Sequence, residues 1–236
     1  MKPSARSSPS LAQQAYRDIK EQILLGRLRP GEMVLGKQFA AQYRMSRTPV
    51  HDALKLLCQE GLVEVIPRVG YVVTTVSLGD VQQIFDLRLA LELFGVERAV
   101  GRVTPADLTA FDQVDREIRA LAHALSPDEP DTFRRAGEAN RKFHLMVAGL
   151  SGNRRLVEAL GRLLDESQRV IALDPESRLL VFLSPPLHRE LIEALVAGDK
   201  PAAREAVIAH LREVQERIVR AILPETVVEA VPAGDW

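Results

Sequence analysis

The sequence has one cysteine, Cys58, in 236 residues. A lone thiol cannot close an intrachain disulfide, so a disulfide-stapled secreted scaffold is excluded. Long uncharged apolar runs are also missing: none approaches the roughly 20 residues that a membrane-spanning helix needs. The opening MKPSARSSPS has no apolar core and does not read as a secretion signal. No HExxH occurs, and no other motif sets a general base at a defined spacing from a metal ligand. These absences predict a cytoplasmic protein in which Cys58, inside the apolar stretch LKLLCQEGL, is a buried, reduced thiol. A redox-sensing thiol is the alternative.

What is present is ordinary in bulk and uneven in distribution. Hydrophobic residues make up 46% and charged residues 27%, which suits a folded chain and not a disordered one. The net charge of −1 hides an asymmetry: residues 1–76 carry 11 Lys/Arg against 6 Asp/Glu, and residues 77–236 carry 20 against 26. A basic front on an acidic body predicts that the first segment meets a polyanion and the second does not.

Residues 1–10, rich in Ser and Pro, read as a disordered leader. Apolar residues then recur at helical spacing from Leu11 to Leu25 (Leu11, Ala15, Ile19, Ile23), and Gly26 stops the helix. RLRPGEMV reads as a Pro-Gly turn. A short helix follows in GKQFAAQYR, with Phe39, Ala40 and Tyr43 inward. A tight turn leads to SRTPVHDALKLLCQEG, where Ser46 can cap the helix and Pro49 falls in its first turn, at which a missing N–H costs little. Leu54, Leu57 and Cys58 form the buried stripe, and Gly61 ends the helix. LVEVIPRVGYVVTTV alternates as strands do and is broken by Pro67-Arg68-Val69-Gly70, which predicts a β-hairpin with a basic tip. Helix, helix, tight turn, helix, hairpin is the layout of a winged helix-turn-helix DNA-binding domain, here at residues 11–76.

After a linker at Ser77–Asp80 the strand signals stop, and an all-helical antiparallel bundle of about six helices is predicted over residues 81–224. The first helix runs from Val81 to Arg102, and the second opens at Thr104-Pro105, with Asp107 in its first turn, and ends near Leu125. The third spans Asp131–Leu150 and the fourth Arg154–Leu173. A loop with Pro175 leads to Ser184-Pro185-Pro186, which caps a fifth helix ending at Gly198; Asp199 caps a sixth that runs to Leu223. Residues 225–236 read as a flexible tail. The fold class is mainly α.

The string PGEMV…FAAQYRMSRTPVHDALKLLCQEGLVEVIPRVGYVV resembles the DNA-binding domain of the GntR family of regulators. DLRLALE near residue 90, NRKFHLMVAGLSGN near 145, LHRELIEALVAGD near 192 and AREAVIAHL near 207 resemble the FCD effector domain of that family's FadR subfamily. The two resemblances span nearly all of Leu11 to Leu223. They imply a homodimer that binds a short inverted-repeat operator in double-stranded DNA, as a repressor controlled by a small organic acid.

On the winged-helix reading, the helix opening at Arg47 presents its N-terminal residues to base edges. An arginine fork can bond guanine O6 and N7 together, so Arg47 is the leading reader with Thr48 beside it. Arg68 and Gly70 at the wing tip suit a phosphate or minor-groove contact. The resemblance implies that Lys37 contacts DNA too. It also exposes two departures: the family commonly reads PVRE where this chain has Pro49-Val50-His51-Asp52, placing His51 at an arginine contact, and Gly36 replaces a common glutamate.

Three of the five histidines lie on otherwise apolar helix faces: His144 with Val147 and Ala148, His188 with Ile192 and Leu195, and His210 with Val207 and Val214. Singly, each is a hydrogen-bonded core residue; together they suggest a shared divalent metal, zinc above all, with nickel and manganese as alternatives. In one metal-binding class of the resembling domains, an Asp four residues before the first histidine completes the site. Here that position is Asn140, a weaker neutral ligand. Arg88 lies on an apolar face and needs a partner, either Glu92 one turn on or the carboxylate of a bound effector, which the resemblance favours. Other readings open at this point are a regulator for which the metal is itself the signal, one with no metal, and a metal-dependent hydrolase.

Overall fold

Ser10 starts the fold. In the computed structural model, which describes residues 10–125, 130–173 and 188–222, its hydroxyl accepts the Gln13 N–H while the Gln13 side chain accepts the Ser10 N–H. This reciprocal pair caps α1 (Leu11–Leu24), so Ser10 belongs to the helix start and not to a leader. Residues 1–9 and 223–236, and with them the rest of the expected leader and the expected tail, lie outside the described residues, as do Pro175 and the Ser184-Pro185-Pro186 cap.

The chain divides into two compact units, at residues 1–75 and 76–236. In the first, α1 is followed by β1 (Met33–Val34), α2 (Gly36–Gln42), α3 (Arg47–Gln59), β2 (Val63–Ile66) and β3 (Gly70–Val73). Ala15, Ile19 and Ile23 of α1 meet Val50, Leu54 and Leu57 of α3 in one core, with Cys58 half-buried at its edge as a free thiol. Helix α3 stops where Gly61 takes a left-handed backbone (φ 74), the usual device one residue beyond a helix cap. The expected hairpin is a three-stranded antiparallel sheet of order β1-β3-β2, because Met33 and Val34, read from sequence as part of a turn, pair with Val72 and Tyr71. Two residues are too short for an alternation signal; their strand exists only through its partner.

The second unit is helical among the described residues: α4 (Leu78–Ala99), α5 (Pro105–His123), α6 (Pro130–Leu150), α7 (Arg154–Ala172), α8 (His188–Ala197) and α9 (Lys200–Ile222). Residues 77–80, expected as a linker, are the start of α4. Ser77 accepts the Asp80 N–H and Asp80 accepts the Ser77 N–H, so the helix begins three residues before the expected Val81; it ends at Ala99, short of Arg102. Thr104 and Asp107 cap α5 in the same way, and Asn153 caps α7. Helix α4 lies against α6, α7 and α9, which explains why it is apolar around much of its circumference. No described helix is long and apolar enough to cross a membrane.

Candidate metal centre and candidate nucleic-acid interface

In the first unit, Arg47, Thr48 and His51 stand exposed along the first turn and a half of α3, and Lys37 is exposed at the start of α2. Ser46 occupies the N-cap position with extended backbone, yet its side chain makes no capping bond. The wing tip is a β-turn closed by the Val69 N–H to the Ile66 carbonyl at 3.1 Å. Pro67 presets its second residue, and Arg68 takes the third in the left-handed region at φ 67, a conformation unfavourable for a residue with a Cβ. Gly70 (φ 153) starts β3 in a backbone conformation that side-chain-bearing residues rarely adopt. His51 lies edge-on to Tyr71 of β3, ring centroids 5.9 Å apart, so the residue in place of the family's arginine is tied to the wing strand. Lys37 on α2, Arg47 on α3 and Arg68 at the wing tip form no ion pair among the described residues.

In the second unit, α6, α8 and α9 bring His144, His188 and His210 together, with ring centroids 5.0–5.4 Å apart and one nitrogen of each within 4.8 Å of the others. His144 and His188 are buried and His210 is half-buried. Phe143 stacks on His188 at 4.1 Å and fixes its ring plane. His144 Nε2 and both ring nitrogens of His188 are buried without a hydrogen-bond partner. A histidine cluster present only for packing would leave few such orphans, because each costs the desolvation of a polar atom. Burial and the neighbouring imidazoles push His188 well below its ordinary pKa; burial, with His144, pushes His210 down to about 3. Neutral imidazoles with free lone pairs are the form that binds a metal. Two nitrogens on one tetrahedral zinc stand about 3.4 Å apart, so small ring movements would close this cluster on an ion.

A buried carboxylate adjoins the cluster. Glu92 Oε2 lies 2.7 Å from His144 Nδ1, and Glu92 Oε1 accepts the Arg88 Nε–H at 3.0 Å. The two helices pack closely at Gly95 and Ala148, each one turn beyond Glu92 and His144: a Cβ on Gly95 would already be in van der Waals contact, 3.5 Å from Ala148 Cα. Burial raises the Glu92 carboxyl, but His144 and Arg88 outweigh it and hold it at about 2. Arg88 also donates through Nη1 to Ser167 Oγ at 3.3 Å and lies over the Phe85 ring. The intrahelical pair with Glu92 weighed from the sequence is formed. Asn140 lies one helical turn before His144 on α6, half-buried. Sequence reasoning missed Glu92 as a histidine partner and Ser167 altogether; Glu92 carried the signal of its spacing to Arg88, while Ser167 carried none. A cavity beside Glu92 and His144, lined also by Val147, Leu160, Leu191 and Val207, encloses about 10 Å³, room for about one water.

Comparison with known proteins agrees with both halves. Residues 11–73 match the bacterial regulatory proteins of the gntR family, and residues 83–213 match the FCD domain. A Streptomyces ambofaciens protein described as an uncharacterized HTH-type transcriptional regulator in an unstable DNA locus is 34% identical, over 89% of this chain and 86% of its own length. The HTH-type transcriptional regulator McbR of Escherichia coli is 30% identical over 84% of this chain and 88% of its own. Its solved structure superposes with a TM-score of 0.75 at 25% identity, covering 90% of this chain and 99% of that one. A putative GntR transcriptional regulator from Rhodococcus sp. RHA1 shares the fold, with a TM-score of 0.73 at 21% identity over 91% of this chain and all of the other. These relatives are transcriptional regulators and not enzymes.

Proposed function

We propose that this chain, which belongs to the GntR family of bacterial regulatory proteins and is a DNA-binding transcriptional regulator with an FCD domain, is a cytoplasmic repressor that releases its operator when a small carboxylic acid binds beside a divalent metal ion. The observation that carries this reading is the convergence of three buried or half-buried histidines, two of them with orphaned nitrogens, next to the Arg88–Glu92 pair. His144, His188 and His210 would hold the ion, with Asn140 as the fourth, neutral position; zinc suits this set best. The ion supplies a Lewis-acidic site for one end of an organic anion. Arg88 would take the carboxylate at the other end, in competition with Glu92, since an arginine fork matches any carboxylate. On DNA, Arg47 and Thr48 would read base edges, with Lys37, His51, Arg68 and Gly70 against the backbone or minor groove. Two copies would bind an inverted repeat, because a two-fold dimer meets a two-fold site.

A reading in which the metal is itself the signal draws on the cavity at Glu92 and His144, which is too small for an organic acid until side chains move. One experiment separates the two. Protein purified without chelator is expected to carry about one divalent ion per chain, and a thermal-shift screen of hydroxy-, keto- and sugar acids is expected to find stabilisers that weaken operator binding. Metal alone shifting operator affinity, with no acid active, would favour the metal sensor. No ion, and no stabilisation by added zinc, nickel or manganese, would overturn the metal.

A further inference from the structure

We infer that Glu92 is a positioning residue for the histidine cluster: it holds the His144 proton on Nδ1, turns Nε2 toward His188 and His210, and supplies at one bond's remove the negative charge that Asn140 does not. The inference rests on the metal reading above and concerns a residue outside its ligand set.

The geometry is specific. Glu92 is only 8% exposed, and its two oxygens have different partners, Arg88 Nε on one and His144 Nδ1 on the other. Beside the Arg88 guanidinium, which donates to its first oxygen, Glu92 is the acceptor in the 2.7 Å contact, and the proton there is assigned to the imidazole. A neutral imidazole protonated at Nδ1 has its lone pair at Nε2, and that nitrogen is the buried one with no partner. His188, by contrast, has both nitrogens unpartnered, so hydrogen bonding sets the tautomer of His144 and not that of His188. Three neutral imidazoles and an amide bring no charge to a buried divalent ion. A carboxylate behind a ligating histidine raises the basicity of that ligand and fixes its ring. Arg88, donating to Glu92 and to Ser167 Oγ, keeps the carboxylate aimed. If Glu92 served only an intrahelical ion pair with Arg88, nothing would require its second oxygen to reach an α6 residue 52 positions away.

The test has two arms on the intact 236-residue chain. Nitrogen-15 NMR of the histidine rings in metal-free wild type is expected to show His144 protonated at Nδ1 and bare at Nε2, with Nε2 shifting when zinc is added. In Glu92→Gln, zinc affinity measured against a chromophoric chelator is expected to fall about 10–100-fold, with helix content by circular dichroism unchanged. A proton on Nε2 in the wild type, or wild-type zinc affinity in Glu92→Gln, overturns the role. If the variant does not fold, the wild-type tautomer decides alone. If the wild type takes up no zinc, nickel or manganese, it is the metal reading that fails, and the tautomer still confirms or overturns the orientation of His144 by Glu92.

Discussion

Arg68 carries a conflict between stability and function. Its left-handed backbone (φ 67) costs a residue with a Cβ roughly 1–2 kcal/mol, and glycine would avoid that cost. Arg68→Gly is therefore expected to raise the unfolding free energy of the DNA-binding unit by about 1 kcal/mol in urea titrations. On the proposed function, which sets Arg68 against the DNA backbone or minor groove, the same change should weaken binding to DNA of any sequence. A variant both more stable and undiminished on DNA would remove Arg68 from the interface. Arg47 predicts a different signature: Arg47→Ala should cost about 1–3 kcal/mol on the specific operator and relax its base preference, measured by titration against operator variants. Unchanged selectivity would mean that another side chain reads the bases.

At the scale of the element, the helix starts differ in a way sequence does not display. Ser46 and Thr104 are both cap-type residues before a helix, but only Thr104 makes the bond, with Asp107 returning it. Thr104→Ala is expected to cost about 1 kcal/mol and Ser46→Ala only a few tenths, by chemical denaturation; equal costs would show that Ser46 caps in solution. A Ser46 hydroxyl not committed to α3 is also free for a phosphate beside Arg47.

The boxes at α4 and α5 carry a pH dependence. Hydrogen bonds from Ser77 and Thr104, side chain first and then backbone, hold Asp80 and Asp107 below their ordinary value of 3.8. A carboxyl with a depressed folded pKa binds protons more readily when unfolded, so its stabilisation is complete well above 3.8 and is lost as pH falls through the folded value. Helix content in the second unit should therefore fall as the pH drops below about 4, and the Asp80→Asn, Asp107→Asn double variant should show a shallower fall. An unchanged slope would place the acid sensitivity elsewhere.

At the scale of the whole molecule, the two units share one continuous chain at Thr75 and Val76, and α4, the helix that carries Arg88 and Glu92, opens two residues later. A shift at the arginine therefore acts on the first helix after the wing strand. On the proposed function, effector and operator must weaken each other by the same factor, with couplings of about 1–3 kcal/mol typical. Arg88→Ala is expected to abolish the effector response and leave effector-free operator binding near wild type, in DNA titrations with and without the acid found by screening. A variant that still responds fully would leave Arg88 only its pair with Glu92.

Much of this was legible in order along the chain because it depends on near neighbours. The α5 cap, the glycine after α3, the stripe through Ala15, Ile19 and Ile23, and the Pro67 wing turn involve residues no more than about four apart, and helix and turn chemistry operates at that range. The basic front on an acidic body is likewise a property of composition. What only the tertiary structure decided are pairings between distant residues. Met33 and Val34 are a strand because Val72 and Tyr71 lie beside them. The three histidines form a cluster because α6, α8 and α9 converge. Glu92 reaches His144 because α4 and α6 come close at Gly95 and Ala148. Periodicity tells which face of a helix is buried, but not which residue of another helix it meets; that is set by the packing of whole elements, which no local pattern encodes.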